Sequence, residues 1–166
     1  MSTQKIIIFQ VGQEEFGISV EHIRSIEKVP YLQEVSNLPK EIKGLMSLRG
    51  EVIPVSDTGV MLHGKPLDVN EQSKVLLFEV NDQMIGCLVS DAKDIIDIEQ
   101  SEIKPFHMNT KASEYFFGVV ERENKMILQV DPNKFLGKIE DLDQLPDRLK
   151  EAVSYTHLTL PTKRIV

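Results

Sequence analysis

The sequence predicts an all-β fold with short helices, and three observations carry the prediction. First, seven short segments are rich in Ile, Val, Leu and Phe and bounded by Gly, Asn, Asp or Pro: Lys5 to Val11, Glu15 to Val20, Glu51 to Val55, Lys74 to Val80, Met84 to Val89, Tyr115 to Glu121 and Lys125 to Val130. Second, no helical pattern of crossover length separates them, which argues for small antiparallel barrels or a sandwich over a parallel sheet. Third, the chain repeats itself.

The repeat is read residue by residue. Lys5-Ile6-Ile7-Ile8-Phe9-Gln10-Val11 lies over Lys74-Val75-Leu76-Leu77-Phe78-Glu79-Val80 at an offset of 69, which also puts Gly17 on Gly86, Val20 on Val89 and Ile26 on Ile95. With five residues more, Gly44, Ile53 and Asp57 lie over Gly118, Ile127 and Asp131. Each half reads strand, turn, strand, connector, then a Gly-led hairpin ending at Asp, as two similar barrels side by side would require. Helix is expected only in short pieces: Val20 to Ile26, where a twisted strand is the alternative, Pro39 to Lys43, Pro132 to Leu136, and a C-terminal amphipathic stretch. That stretch, 139–153, carries Ile139, Leu142, Leu145, Leu149 and Val153 at helical spacing, with Pro146 expected to break it.

After Val153 the pattern changes. Residues 154–166 continue no earlier register and resemble cloning or sequencing-adaptor read-through, so they are set aside as a non-native tail. The expected organisation is one domain over 1–153, with repeat halves 5–72 and 73–137 whose strands are free to exchange.

Composition narrows the function. The 166 residues carry 19 Lys and Arg against 26 Asp and Glu, a charge of −7; without the tail the charge is −9. Nucleic-acid binding needs clustered cations and is disfavoured. The apolar run Ile6 to Phe9 is too short for a signal or membrane segment, and the lone Cys87 fits a reducing compartment, so a cytoplasmic protein is expected. Cys87 follows Gly86 inside an apolar strand and reads as a buried core thiol. No zinc-ligand spacing, phosphate loop, nucleophile elbow or calcium loop is present, so no cofactor and no catalysis are expected. Binding to proteins remains the open class.

One asymmetry of the repeat points to a site. The hairpin turn reads Leu48-Arg49-Gly50 in the first half and Arg122-Glu123-Asn124 in the second. Gly50 and Asn124 supply the tolerance for positive φ that a turn needs, whereas the turn does not demand Arg49. A solvated turn cation is the bland reading of Arg49. The functional one is a fork donor to a partner's carboxylates or carbonyls.

The motifs together resemble the CheW chemotaxis coupling family. They are Phe9-x-Val11-Gly12-x-Glu14-Glu15-Phe16-Gly17-Ile18, Ile23-x-x-Ile26, and Leu38-Pro39-x-x-Ile42-Lys43-Gly44-Leu45-x-x-Leu48-Arg49-Gly50-x-Val52-Ile53-Pro54-Val55-x-Asp57. The second half adds Phe78-x-Val80, Gly86, Val89, Asp94-Ile95, Ile103-x-Pro105, Tyr115-Phe116-x-Gly118 and Met126-Ile127-Leu128 before Phe135-Leu136. The resemblance implies two SH3-like five-stranded β-barrel subdomains with a groove between them. It also implies a non-catalytic adaptor joining the cytoplasmic tip of methyl-accepting chemoreceptors to the regulatory domain of the histidine kinase CheA.

Carried over by position, the partner-binding residues would be Ile23, Ser25, Gly44, Arg49, Gly50, Val75, Ala92 and Ile95. Core packing is the weightier reading for Val75 and Ile95, and backbone geometry an equal one for Gly44 and Gly50. Ser25 stands where the family usually has Glu, Ser47 where it has Asn, and Ser56-Asp57-Thr58-Gly59 where it has Ile-Asp-Leu-Arg. Arg49 thus lacks the expected carboxylate unless Glu27 or another acid replaces it. Rival readings are a barrel adaptor of another kinase pathway such as surface motility, the adaptor part of a longer receiver protein, disfavoured by length, and a small enzyme with spatially assembled carboxylates.

Overall fold

Apolar residues run without alternation through β1 (Thr3–Val11) and β6 (Lys74–Val80) because both faces of these strands are covered. Ile6 and Ile8 of β1 point into one apolar cluster while Ile7, Phe9 and Val11 point into another; Val75 and Leu77 of β6 separate from Leu76 and Phe78 in the same way. The computed structural model describes residues 3–80, 82–105 and 114–137. The expected helix at 139–153 and the tail lie outside these residues.

The remaining elements are β2 (Glu14–Ser19), β3 (Ile23–Lys28), β4 (Ile42–Leu48), β5 (Glu51–Asp57), α1 (Thr58–His63), β7 (Gln83–Val89), β8 (Asp91–Glu99), β9 (Phe116–Arg122), β10 (Lys125–Val130) and α2 (Pro132–Gly137). They form two five-stranded sheets, ordered β8-β1-β2-β10-β9 and β3-β6-β7-β5-β4. The repeat offsets carry one order onto the other, strand by strand. Each sheet draws strands from both sequence halves: the chain leaves the first sheet after β2, builds β3 to β7, and returns for β8 to β10.

The equivalence extends to register. Ile6 faces Ser19 as Val75 faces Leu88, and the ladders β1–β8 and β6–β3 are bulged at the same place. Gly17 and Gly86 repeat as well, since a Cβ on either would stand 2.7 Å from an aliphatic methyl, of Ile6 and Val75 respectively. Residues beyond an edge strand reach the far edge of the same sheet, where Gln33 bridges Leu45 and Lys104 bridges Val119. The sheets are therefore curled, each spanned across its opening by one bridge among the described residues.

Three apolar clusters fill this frame. Met46, Ile53, Val55, Val75, Leu77 and Leu88 fill the interior of one curled sheet, and Ile6, Ile8, Ile98, Val120 and Ile127 the other. The largest cluster lies between the sheets, where Phe9 stacks on Phe16, Phe16 on Phe116, and Tyr115 meets Phe135 edge-on. Gln129 breaks the symmetry: it is buried at the place equivalent to Val55, and its Oε1 has no hydrogen-bond partner.

Two helix expectations are corrected. Only Val20–His22 forms a helical turn, of 3-10 type, and Ile23 to Lys28 is strand, the alternative reading of that segment. Its three-residue apolar spacing arises because a turn passes into an edge strand there. Pro39 to Lys43 is a turn closed by the Ile42 N–H donating to the Pro39 carbonyl at 2.9 Å, and β4 begins at Ile42. α2 forms where Pro132 to Leu136 was expected, started by the Asp131 carboxylate accepting the N–H groups of Asn133 and Lys134.

Candidate partner-binding site

The hairpin β4–β5 turns on Arg49 and Gly50 between the paired Leu48 and Glu51. Both turn residues take positive φ, 52° at Arg49 and 83° at Gly50, as a two-residue turn compatible with strand twist requires. Arg49 is a solvent-exposed non-glycine residue held in the left-handed region, a conformation costing about 1–2 kcal/mol for a residue with a Cβ. No hydrogen bond or ion pair engages its guanidinium among the described residues, and Glu27 does not serve as a substitute partner. The five donors of its fork are directed to solvent.

A second group of candidates lies on the edge strands. Ile23 on β3 and Ala92 on β8 are equivalent by the repeat, flank equivalent bulges, and pack against the same inter-sheet cluster. Ser25 is half-buried one step beyond the bulge, opposite Leu77. Ile95 is 58% exposed, so the core reading is wrong for it.

Two candidates are not surface residues. Val75 is fully buried inside the sheet that carries the Arg49 hairpin, so it packs the site from behind. Gly44 is buried beneath the bridging segment, where a Cβ would lie 2.7 Å from the Gln33 carbonyl oxygen; its role is to let that backbone close the curled sheet. Gly50 serves turn geometry, with open space around it. The structure thus gathers Ile23 and Ala92 on one cluster and sets Arg49 apart on its hairpin. Two apolar residues not among the sequence candidates, Ile26 and Val52, are also exposed, at 39% and 37%; the overlay of Ile26 on Ile95 was the available signal for the first.

The buried Asp57 carboxylate caps α1 through the N–H groups of Gly59 and Val60 and accepts the Leu67 N–H with both oxygens, at 3.3 and 3.2 Å. Glu102 is held below the usual carboxylate range by the Glu99 N–H and by Arg122, the opposite of what a general acid needs. Burial pushes the Cys87 thiol up to about 12, against a smaller opposing effect of the Ser56 hydroxyl, so it is an unreactive core thiol. Among the described residues no group of three or more His, Cys, Asp or Glu could hold a metal ion. No helix there is long and apolar enough to cross a membrane.

Residues 5–140 match the CheW-like domain family. The chain belongs to this family. Similar relatives include a chemotaxis protein CheW of Bacillus subtilis, 29% identical over 87% of this chain and 94% of the relative, and one of Klebsiella aerogenes, 27% identical over 82% and 84%. The scaffolding protein TtCheW from Thermoanaerobacter tengcongensis shares the fold, with a TM-score of 0.76 at 22% identity over 84% of this chain and 94% of that one. Members of the CheW-like family are scaffold and coupling proteins, and this chain is a non-catalytic chemotaxis adaptor with the family's paired SH3-like subdomains. The enzyme reading is set aside.

Proposed function

We propose that this adaptor works in the cytoplasm, joining the tips of methyl-accepting chemoreceptors to the regulatory domain of the kinase CheA, with the Arg49 hairpin as its polar anchor. The observation that carries this reading is the hairpin itself. A strained, exposed Arg with no partner among the described residues adds nothing to the fold that Gly or Asn would not supply, whereas a partner carboxylate would receive its fork in two parallel hydrogen bonds. Ile23, Ala92 and Ile95 on the edge strands would supply apolar contact. With no acid engaging the guanidinium among the described residues, a carboxylate of the partner would complete the pair.

The test is a pair of separate pull-downs, one against a receptor cytoplasmic hairpin and one against a CheA regulatory domain. Capture by both is expected. Capture by neither removes the coupling reading.

A further inference from the structure

Each curled sheet has an outer face, and the repeat lets the two faces be compared residue by residue. On the sheet that carries the Arg49 hairpin, Met46 and Ile53 point into the interior cluster, so Ser47 and Val52, paired across β4 and β5, point outward. Gln33 bridges Leu45 with 2.8 Å hydrogen bonds in both directions, and the preceding Leu32 packs against the same interior cluster. Carrying that register two residues on brings Tyr31 level with Ser47 on the outer side. The exposures agree: Tyr31 is 79% exposed and Val52 37%, and the Tyr31 hydroxyl donates to Gln33 Oε1 at 3.2 Å along one face. Tyr31, Ser47 and Val52 form one row, and Arg49 lies two residues beyond Ser47 at the tip of the hairpin.

The second barrel fills the same places differently. The bridge of Lys104 on Val119 is equivalent to that of Gln33 on Leu45, so Glu102 stands where Tyr31 does. Glu121, Met126 and Glu123 stand for Ser47, Val52 and Arg49. Arg122 clips Glu102 through two hydrogen bonds of 3.0 Å and fixes a charge pair where the first barrel exposes an aromatic ring. Where the second barrel sets Glu102, Glu121 and Glu123, the first sets Tyr31, Ser47 and Arg49. Glu51, the acid next to the Arg49 turn, pairs with the inward-packing Leu48, and strand alternation sends it to the face opposite Val52.

We propose that Tyr31, Val52 and Arg49 form one docking surface whose occupant is a receptor-tip helix presenting a carboxylate beside two apolar side chains. This rests on the coupling reading above and adds to it an apolar contact on the hairpin's own face. Charge complementarity argues for the occupant. A cation at the end of an acid-free row attracts a carboxylate, and the acidic row on the second barrel repels the same helix, so one of two equivalent barrels is selected. The dimensions fit as well. From Tyr31 to Val52 the row spans two strand spacings, about 10 Å, and residues seven apart on one helix face are also about 10 Å apart. The small Ser47 between them leaves room for the helix to approach. Tyr and Arg are the residue types that concentrate binding energy in such contacts.

The test is calorimetry with a receptor cytoplasmic hairpin and, separately, a CheA regulatory domain, on wild type, Tyr31→Ser, Tyr31→Phe, Val52→Thr and Met126→Thr. Met126, 66% exposed, is the equivalent of Val52 and serves as the control. Both test positions are exposed and Thr suits a strand, so the variants should melt with wild type. Tyr31→Ser and Val52→Thr are each expected to bind the receptor hairpin at least about fivefold more weakly, with Tyr31→Phe and Met126→Thr within about twofold of wild type and binding to CheA unchanged. If wild type binds the hairpin, the surface is overturned, and the coupling reading stands, when Tyr31→Ser and Val52→Thr bind it as wild type does, when Met126→Thr or Tyr31→Phe loses as much as they do, or when the loss is confined to CheA. A wild type that binds no receptor hairpin overturns both.

Discussion

Arg49 and Glu123 occupy the same position of two equivalent hairpins, first in a two-residue turn, with φ of 52° and 50°, and they carry opposite charges. The backbone strain is shared, so the turn does not choose the charge. Whatever selects Arg on one barrel and Glu on the other lies outside the hairpins.

Relieving that strain should stabilise the fold. Arg49→Asn creates the Asn-Gly pair that such turns favour and is expected to raise unfolding stability by about 1 kcal/mol while weakening partner capture. A urea titration beside the pull-down reads both. A gain in stability with undiminished capture would leave Arg49 a mere turn residue.

Gly44 and its equivalent Gly118 are predicted to be structural. A Cβ on Gly118 would stand 2.8 Å from the Lys104 carbonyl oxygen, as one on Gly44 stands 2.7 Å from that of Gln33. Substituting Ala at either should cost about 1–3 kcal/mol and open the bridge that spans the sheet. Hydrogen exchange at the Gln33 and Leu45 amides, bonded at 2.8 Å in both directions, should accelerate in Gly44→Ala.

Gln129 is a polar residue in an otherwise aliphatic layer. Its Nε2 donates to the Ile127 carbonyl at 3.0 Å while Oε1 goes unpaired, and the equivalent place on the other barrel holds Val55. Gln129→Val should stabilise the protein by about 1 kcal/mol, which is roughly 2–4 °C in Tm for a chain of this size. A loss of stability would show that Oε1 has a partner in solution.

The clip of Arg122 on Glu102, two hydrogen bonds of 3.0 Å, predicts a pH dependence. The folded protein lowers the Glu102 pKa, so the clip contributes above the carboxylate's unfolded pKa and is lost as pH falls through the folded one. Glu102→Gln should therefore lower Tm at pH 7 and leave it close to wild type near pH 3. A Tm difference that persists at pH 3 would rule out the charge as its source.

Legibility in the sequence followed the range of the interactions. β1 and β6 were plain because both faces are apolar, and the repeat was plain because local order is copied along the chain. β8 was missed as a strand: Asp91-Ala92-Lys93-Asp94 opens it with charge, which an edge strand tolerates and a buried one does not. Which sheet each strand joins is decided by long-range pairing, as when β2 meets β10 in parallel at Phe16 and Leu128, and no periodicity reports that. The site divided in the same way. Arg49 stood out because the repeat failed there, whereas the burial of Val75 and the exposure of Ile95 depend on neighbours far away in sequence.

The most direct measurement is the affinity of a receptor hairpin for wild type and for Arg49→Glu, by calorimetry, with circular dichroism as the fold control. Glu123 shows that Glu fits this turn position, so the variant should fold unchanged. At least tenfold weaker binding, about 1.4 kcal/mol or more, is the predicted result. Equal affinity in a folded variant would contradict the account.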